Sequence, residues 1–259
     1  MVEGGTVRGV PRRIQWPGRK GVPMKPAMRI LFTLVALVLV GALAYGIYVA
    51  TTWSRYGKAA KDTSTPTRSL LDRFLPTYDV SERHETPVDA PVSITYEVSK
   101  EADPNRSPLV RAIFEARQSL MGGKGQAAMP RRPLLEVTKD LGWGVLAEVQ
   151  GRAIVMGAYT QPWQANVRFR SLPPDEFAAF HQPGYVKIIW TIEADSVAPS
   201  KSIARTQTRV ETTDPESRAR FRTYWSKFSP GILLIRKQIL AQIKSDAERR
   251  AREERRNTR

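Results

Sequence analysis

Few residues of this 259-residue chain combine the side-chain types and the spacing that catalysis or metal binding requires. Its two histidines, His84 and His181, lie far apart in the sequence and fit no spacing of metal ligands. Charged neighbours indicate an exposed or edge position for His84 in a predicted strand. Glu193 and Glu211 fall on the polar side of two neighbouring predicted strands, which indicates surface ion pairs and not an acid–base dyad. We therefore predict no catalytic residues, no metal site and no cofactor.

Short catalytic and nucleotide-binding motifs are missing too. The chain contains neither the GxSxG motif of esterase nucleophiles nor the phosphate-binding GxxxxGK[ST] motif, and its Gly-Gly-Lys-Gly run follows a predicted helix instead of a strand. Because there is no cysteine, disulfides, thiolate metal ligands and cysteine nucleophiles are excluded. No motif in the sequence is specific to an enzyme.

The formal net charge of +16 indicates an anionic neighbour, such as lipid headgroups, cell-wall polymer or nucleic acid. Much of this excess lies in two basic ends, residues 1–28 and 248–259. A domain that grips nucleic acid concentrates its charge on one folded face, so we predict no specific nucleic-acid partner.

An uncharged apolar run, Ile30–Trp53, predicts a single transmembrane helix over residues 29–53. The alternative is a cleaved signal peptide, since Ala42-Leu43-Ala44 has small residues at the right separation, but the run is longer than a signal-peptide core. Residues 1–28 are predicted to be disordered and basic, and residues 54–69 a linker. The excess of basic residues before the span predicts a cell-membrane protein with its N-terminus in the cytoplasm and its C-terminal domain outside.

Residues 70–247 are predicted to form an α+β domain. Strands are predicted at Val80–Val88, Trp143–Val149, Arg152–Ala158, Asn166–Arg170, Tyr185–Ala194 and Ser202–Thr212, and helices at Val92–Lys100, Pro108–Met121 and Pro174–Phe180. The two last strands form a predicted antiparallel hairpin, because Pro199 marks the connection between them.

A long amphipathic helix closes the predicted domain. Its apolar residues recur at steps of three and four: Phe221, Trp225, Phe228, Ile232, Ile235, Ile239 and Ile243. Thr213 and Glu216 have the spacing of a capping box, and Pro230 predicts a kink after Ser229. Residues 248–259 are predicted to be a charged tail that frays into solvent.

This order of elements resembles the helix-grip fold of the START/Bet v 1-like (SRPBCC, polyketide cyclase/dehydrase-type) superfamily. The segments that carry the resemblance are Ala90-Pro91 at the first helix, PGYVKIIWTIEAD, and RTQTRVETTDPESRARFRTYWSKFSPGILLIRKQIL at the end. The last of these is similar to the ending of uncharacterised actinobacterial members, to which the membrane anchor is an addition.

The resemblance implies a cavity between the sheet and the final helix, which the superfamily uses for lipids, sterols, polyketides and other apolar ligands. Aromatic rings would supply its apolar walls, and threonine hydroxyls would orient a ligand. The candidate cavity residues are Trp143, Trp190, Thr206, Thr208, Phe221, Trp225 and Phe228. The alternative is that these side chains simply fill the core.

We therefore predict a membrane-anchored SRPBCC-like domain that binds or carries an apolar, lipid-like ligand next to the bilayer, without covalent chemistry. Its predicted partners are the lipid bilayer and an apolar small molecule or lipid. One alternative is an enzyme of the cyclase or hydrolase type on the same fold. Another is a non-enzymatic cell-envelope assembly component, whose cone-shaped fold would place its helices early in the domain.

Overall fold

The computed structural model describes residues 26–58, 68–123 and 132–257. Residues 1–25 of the predicted disordered segment and 59–67 of the predicted linker lie outside these ranges. The chain divides into two units, residues 1–46 and 47–259.

The first helix, α1, spans Pro26–Arg55. Its 30 residues correspond to about 45 Å at ~1.5 Å per residue, more than the ~30 Å of a bilayer hydrocarbon core. Within the described part of the chain it is the one helix that is long and apolar enough to cross a membrane. The apolar run of the sequence therefore forms a helix of sufficient length.

The remaining elements follow the predicted order closely. They are α2 (Arg68–Phe74), β1 (Val80–Val88), α3 (Val92–Glu101), a 3₁₀ turn (Pro104–Arg106), α4 (Pro108–Leu120), α5 (Leu134–Asp140), β2 (Gly144–Val149), β3 (Ala153–Thr160), α6 (Pro174–Ala179), β4 (Val186–Ala198), β5 (Lys201–Thr212) and α7 (Pro215–Asn257). The β-branched residues Val, Ile and Thr that fill β4 and β5 favour an extended chain, whereas the Leu, Arg, Lys, Ala and Glu of α7 favour a helix.

Five strands form one antiparallel sheet in the order β1-β5-β4-β3-β2. Helices α3 and α7 pack against one face, which we call the grip face. The grip face carries the even-numbered residues of β1, β3, β4 and β5, because directly opposed residues of antiparallel neighbours share a face. This combination confirms the predicted α+β class and helix-grip arrangement.

The opposite face, which we call the outer face, is covered by α2 and α6. Leu71 and Phe74 of α2 and Phe177 of α6 pack there against Val155 and Ile189 of the sheet. The sequence pattern predicted a solvated polar side here, and that prediction is wrong.

Charged residues of the outer face are consequently buried and paired. Glu193 is 1% exposed and accepts from the Thr191 hydroxyl at 2.6 Å, and its carboxylate lies 3.5 Å from the Arg205 guanidinium. The Lys187 ammonium lies 3.2 Å from the Glu211 carboxylate. Glu193 therefore takes part in a buried ion pair and not in a surface one.

Three further local predictions differ from the structure. The predicted strand Asn166–Arg170 is reduced to a single bridge between Tyr159 and Arg170. Helix α5 was not predicted, because its seven residues contain too little apolar periodicity. Helix α7 continues through residues 248–257, and Ala251 is buried, so the predicted fraying is wrong over these residues.

The cap of α7 also differs from the predicted capping box. The Asp214 carboxylate accepts from the backbone N–H groups of Glu216 and Ser217, each at 2.9 Å, and from the Ser217 hydroxyl at 2.6 Å. Thr213 instead donates its hydroxyl to the Tyr185 carbonyl at 2.9 Å. The helix then runs continuously through Pro230.

Candidate functional site

Two apolar clusters join α7 to the sheet, one near each end of the helix. The first cluster consists of Tyr56, Val80, Val186, Val210, Phe221, Tyr224 and Trp225. The second cluster consists of Val88, Ala90, Ile94, Val98, Ala102, Ala204, Leu240, Ile243, Ala247 and Ala251. The part of the grip face between the two clusters has a different, polar character.

Polar residues of β1, β5 and α7 meet in this middle part. Glu82 of β1 is directly opposite Thr208 of β5, and His84 of β1 is directly opposite Thr206. Arg236 of α7 extends to the same place and donates from Nη2 to the Thr208 hydroxyl oxygen at 2.6 Å. We call these five residues the interior polar set.

Arg236 is the cation of this set. Its second terminal nitrogen, Nη1, is buried and has no hydrogen-bond partner among the described residues. Burial lowers the pKa of the Arg236 guanidinium to about 10, and the nearby Glu82 carboxylate acts in the opposite direction. Arg236 is thus a desolvated cation at neutral pH whose Nη1 has no partner within the described ranges.

The two titratable groups of β1 lie next to each other. The Nε2 atom of His84 is 3.9 Å from the Glu82 carboxylate, and within the described chain this nitrogen has no hydrogen-bond partner. Burial lowers the pKa of His84, and the positive charges of Arg236 and Lys237 lower it further. Burial raises the pKa of Glu82, while Arg236 opposes that change. Both β1 side chains are therefore shifted towards their neutral forms.

Solvent reaches the grip face at this point. Ile188, Trp190 and Thr206 are only half-buried, although β4 and β5 are inner strands of the sheet. On the outer face of the same two strands, Ile189 and Gln207 are each 0% exposed. The half-buried residues therefore border a space on the α7 side of the sheet that solvent can enter.

The candidate residues from the sequence separate into two groups. Trp143 and Trp190 lie together on the sheet side, with their rings edge to face at 6.2 Å, and Trp190 is directly opposite Thr208 in the ladder. Thr206 and Thr208 belong to the interior polar set.

The second group comes from the beginning of α7. Phe221 and Trp225 are 1% and 5% exposed inside the first cluster, and Phe228 stacks on Tyr224 with a centroid distance of 5.1 Å. The surroundings of Phe221 and Trp225 are apolar and closely packed, whereas the Trp190–Thr208 pair borders the polar middle of the grip face.

Sequence reasoning missed Arg236, Glu82 and the inward position of His84. A signal for each was present. Arg236 is four residues after Ile232 and four before Leu240, so it lies on the apolar stripe of α7. Glu82 and His84 are an even number of positions from Val80 and Val88, the buried ends of β1, so all four residues lie on the same face of the strand. No group of three or more His, Asp or Glu side chains in the described ranges could hold a metal ion.

No family model and no curated protein matches this chain. Similar solved structures include a structural-genomics target from Nitrosospira multiformis, at 11% identity and a TM-score of 0.27 over 65% of this chain and 96% of that one. They also include the di-domain ARO/CYC BexL from the BE-7585A biosynthetic pathway, at 12% identity and a TM-score of 0.25 over 65% of this chain and 46% of that one.

A third similar structure is the Zhui aromatase/cyclase from Streptomyces sp. R1128, at 14% identity and a TM-score of 0.23 over 66% of this chain and 94% of that one. Identities and TM-scores of this size carry no argument about family or activity. The fold assignment rests on the strand order and on the packing of α3 and α7.

Proposed function

We propose that this protein is a membrane-anchored ligand-binding protein, whose helix-grip domain, residues 70–247, holds an apolar, lipid-like molecule between the sheet and α7. One observation carries the proposal: Ile188, Trp190 and Thr206 are half-buried on inner strands, beneath a helix that is closely packed at both ends. An unfilled space next to apolar side chains is costly unless something occupies it.

The energy for binding would come from burial of the ligand. Each methylene group moved from water into an apolar site contributes ~0.8 kcal/mol. Trp190 and Ile188 on the sheet, with Phe228 and Ile232 on α7, offer apolar surface next to the space. This mode of binding needs no covalent chemistry.

The proposed location is the cell membrane. Helix α1 would form a single membrane span, with the N-terminus in the cytoplasm and the domain outside it, close to the bilayer from which an apolar ligand would come. The length and composition of α1 support the span, and the larger number of basic residues before it supports the orientation.

The binding proposal is tested with the full chain reconstituted in phosphatidylcholine nanodiscs, using the neutral apolar fluorophore N-phenyl-1-naphthylamine. The test variant is Thr206→Phe, which places a ring in the proposed space. Its matched control is Thr77→Phe, because Thr77 is exposed and, among the described residues, its hydroxyl bonds only to the Glu211 carboxylate, at 2.6 Å.

We expect saturable fluorescence with the wild type and the control, and at least a tenfold loss of affinity with Thr206→Phe. Because the ring would enter open space, the thermal midpoint of Thr206→Phe should stay equal or rise. A filled core would instead lose ~1–3 kcal/mol from overpacking. A wild type without saturable binding, or a strongly destabilised Thr206→Phe, would overturn the proposal.

A further inference from the structure

The ligand site contains a polar anchor in addition to apolar walls. Resting on the proposed function, we propose that the ligand carries one carboxylate group and that Arg236 binds it inside the domain, with the apolar chain lying along Trp190 and Ile188. The site would thus select anionic, fatty-acid-like amphiphiles over neutral lipids.

Arg236 has a buried donor nitrogen, Nη1, without a partner in the described part of the chain. A guanidinium has five N–H donors and no acceptor, so any group that satisfies Nη1 must accept a hydrogen bond. The bond from Nη2 to Thr208 at 2.6 Å holds the guanidinium against the sheet, so Nη1 keeps a defined position. The missing partner is therefore an acceptor at a fixed point.

An anionic acceptor suits Nη1 of Arg236 better than a neutral one. A desolvated guanidinium gains most from an anion, since charge-assisted hydrogen bonds are about twice as strong as neutral ones. Glu82 is the acid of the interior polar set, but its carboxylate forms no ion pair with Arg236 within 4 Å in the described structure. Arg236 therefore lacks a close anionic partner from the set itself.

The interior polar set also limits how much negative charge the ligand can carry. The interior polar set supplies one permanent cation, because burial keeps His84 towards its neutral form and Lys237 is exposed. A phosphate dianion next to Glu82 would leave excess negative charge in a desolvated place. A single carboxylate matches the single guanidinium.

The neighbouring side chains of the set adapt to such a ligand. Burial raises the pKa of Glu82, so this group can take up a proton when a second carboxylate arrives and then donate a hydrogen bond. The Nε2 atom of His84 has no partner in the described part of the protein. In the neutral tautomer that carries its proton on Nε2, His84 can donate a hydrogen bond to the second oxygen of the ligand carboxylate.

The test compares two probes that have the same chain and different head groups, oleate and oleyl alcohol. Each displaces N-phenyl-1-naphthylamine from the full chain in phosphatidylcholine nanodiscs at pH 7.4. Variants are Arg236→Leu, Arg236→Lys and Glu82→Gln, with Arg220→Leu as a matched control, because Arg220 lies on the same helix and is 56% exposed. Partition into the bilayer is the same for every variant, so ratios between variants report on the site.

We expect the wild type to bind oleate at least tenfold more tightly than oleyl alcohol. Arg236→Leu should lose at least tenfold in oleate affinity and less than twofold in oleyl alcohol affinity, while Arg220→Leu changes neither. Arg236→Lys should keep part of the preference, and Glu82→Gln should bind oleate as well as the wild type or better.

Equal affinity for the two probes, or an equal loss of both in Arg236→Leu, would overturn the carboxylate proposal while the binding function stands. No saturable displacement by either probe would overturn the binding function itself. If Arg236→Leu does not fold, the preference of the wild type and the affinities of Arg236→Lys still decide the question, since both proteins keep a positive charge at residue 236.

Discussion

Arg209, which is buried, and Arg236 of α7, which is partly buried, lie against opposite faces of the same sheet and have different surroundings. The Arg209 guanidinium is 2.6 Å from the Asp72 carboxylate and 3.0 Å from the Leu75 carbonyl, and Arg209 is 1% exposed. Arg236 has Thr208 as its one hydrogen-bond partner among the described residues and keeps an unused Nη1. The first arginine joins α2 to the sheet, whereas the second is the proposed anchor for a ligand.

Leucine substitutions of the two arginines should therefore change stability with opposite signs. Arg209→Leu breaks an ion pair and should lower the free energy of unfolding by about 3 kcal/mol. Arg236→Leu removes a desolvated, unpaired charge and should leave this free energy unchanged or raise it by up to about 2 kcal/mol. Urea unfolding of the full chain in detergent micelles, followed by tryptophan fluorescence, measures both. A loss of 3 kcal/mol in Arg236→Leu would show that Arg236 is structural.

His84 and Glu82 should make opposite contributions to the pH dependence of stability. The pKa of His84 is lowered from 6.5 on folding, so its contribution to stability decreases as the pH falls below 6.5. The pKa of Glu82 is raised from 4.5, so its contribution is present below pH 4.5 and is lost as the pH rises through the folded value. Glu82 is directly opposite Thr208 and His84 directly opposite Thr206, the charge of Arg236 acts on both groups, and Lys237 adds positive charge near His84.

Substitution separates the two effects. Between pH 4.5 and 6.5, His84→Gln should lose the part of the stability that increases with pH, and Glu82→Gln should lose the part that decreases with pH. The difference in thermal midpoint from the wild type should therefore change with pH in opposite directions for the two variants. Parallel curves for the two variants would mean that neither side chain is desolvated in the folded protein.

At the scale of elements, α7 depends on its first turn. Asp214 accepts two backbone N–H groups of that turn and the N–H of Gly184 at 2.6 Å, and these hydrogen bonds hold the pKa of its carboxyl well below the usual range. The stability that Asp214 contributes is therefore present above its ordinary pKa and is lost as the pH falls through the folded value. The cap joins the start of α7 to the loop before β4.

Asp214→Ala should lower the free energy of unfolding by about 1–2 kcal/mol, the usual value for the loss of a helix cap. Glu216→Ala should change it by less than 0.5 kcal/mol, since Glu216 is 73% exposed in its pair with Arg220 and surface pairs contribute ~0–1 kcal/mol. Urea titrations at pH 7 distinguish the two. A larger effect for Glu216→Ala than for Asp214→Ala would instead support the capping box that the sequence predicted.

At the scale of the whole molecule, the unit 47–259 begins inside helix α1. The Tyr48 hydroxyl is 2.9 Å from the Ser229 hydroxyl, and Arg222 donates to the Trp53 carbonyl at 2.7 and 3.0 Å. Tyr56, which falls in the predicted linker, is 8% exposed in the first cluster. The end of α1 is therefore part of the packing around α7.

Two truncated chains test this assignment. A chain that starts at Ile47 should unfold within a few degrees of the full-length protein. A chain that starts at Lys58 lacks the Tyr56 ring and should lose about 3 kcal/mol or more, the usual cost of removing a buried aromatic side chain. Thermal unfolding followed by circular dichroism measures both, and equal midpoints would mean that residues 47–57 add nothing to the fold.

The proposed orientation in the membrane can be tested with single cysteines, because the chain has none of its own. Ser196→Cys, at an exposed position in β4, should react with a membrane-impermeant maleimide in intact cells. Thr6→Cys should react only after permeabilisation. The reverse pattern would place the domain in the cytoplasm.

The sequence alone determined the features that depend on neighbouring residues. An uncharged run of sufficient length predicted α1, and flanking turn residues predicted β1. Alternation predicted β4 and β5, and steps of three and four predicted the apolar stripe of α7. These features are local, because period and length are properties of a short segment. The predicted order of elements follows from them, and the resemblance of that order to the helix-grip fold supplied the predicted arrangement.

Tertiary structure alone decided which polar residues are inside. Arg209 meets Asp72 across 137 positions and Arg236 meets Thr208 across 28, so neither pairing shows in a local pattern. Because α2 and α6 cover the outer face, residues that alternate as a solvated side became buried ion pairs. A charged side chain is stable inside only where distant segments supply its partners, and for Arg236 the described structure supplies only one.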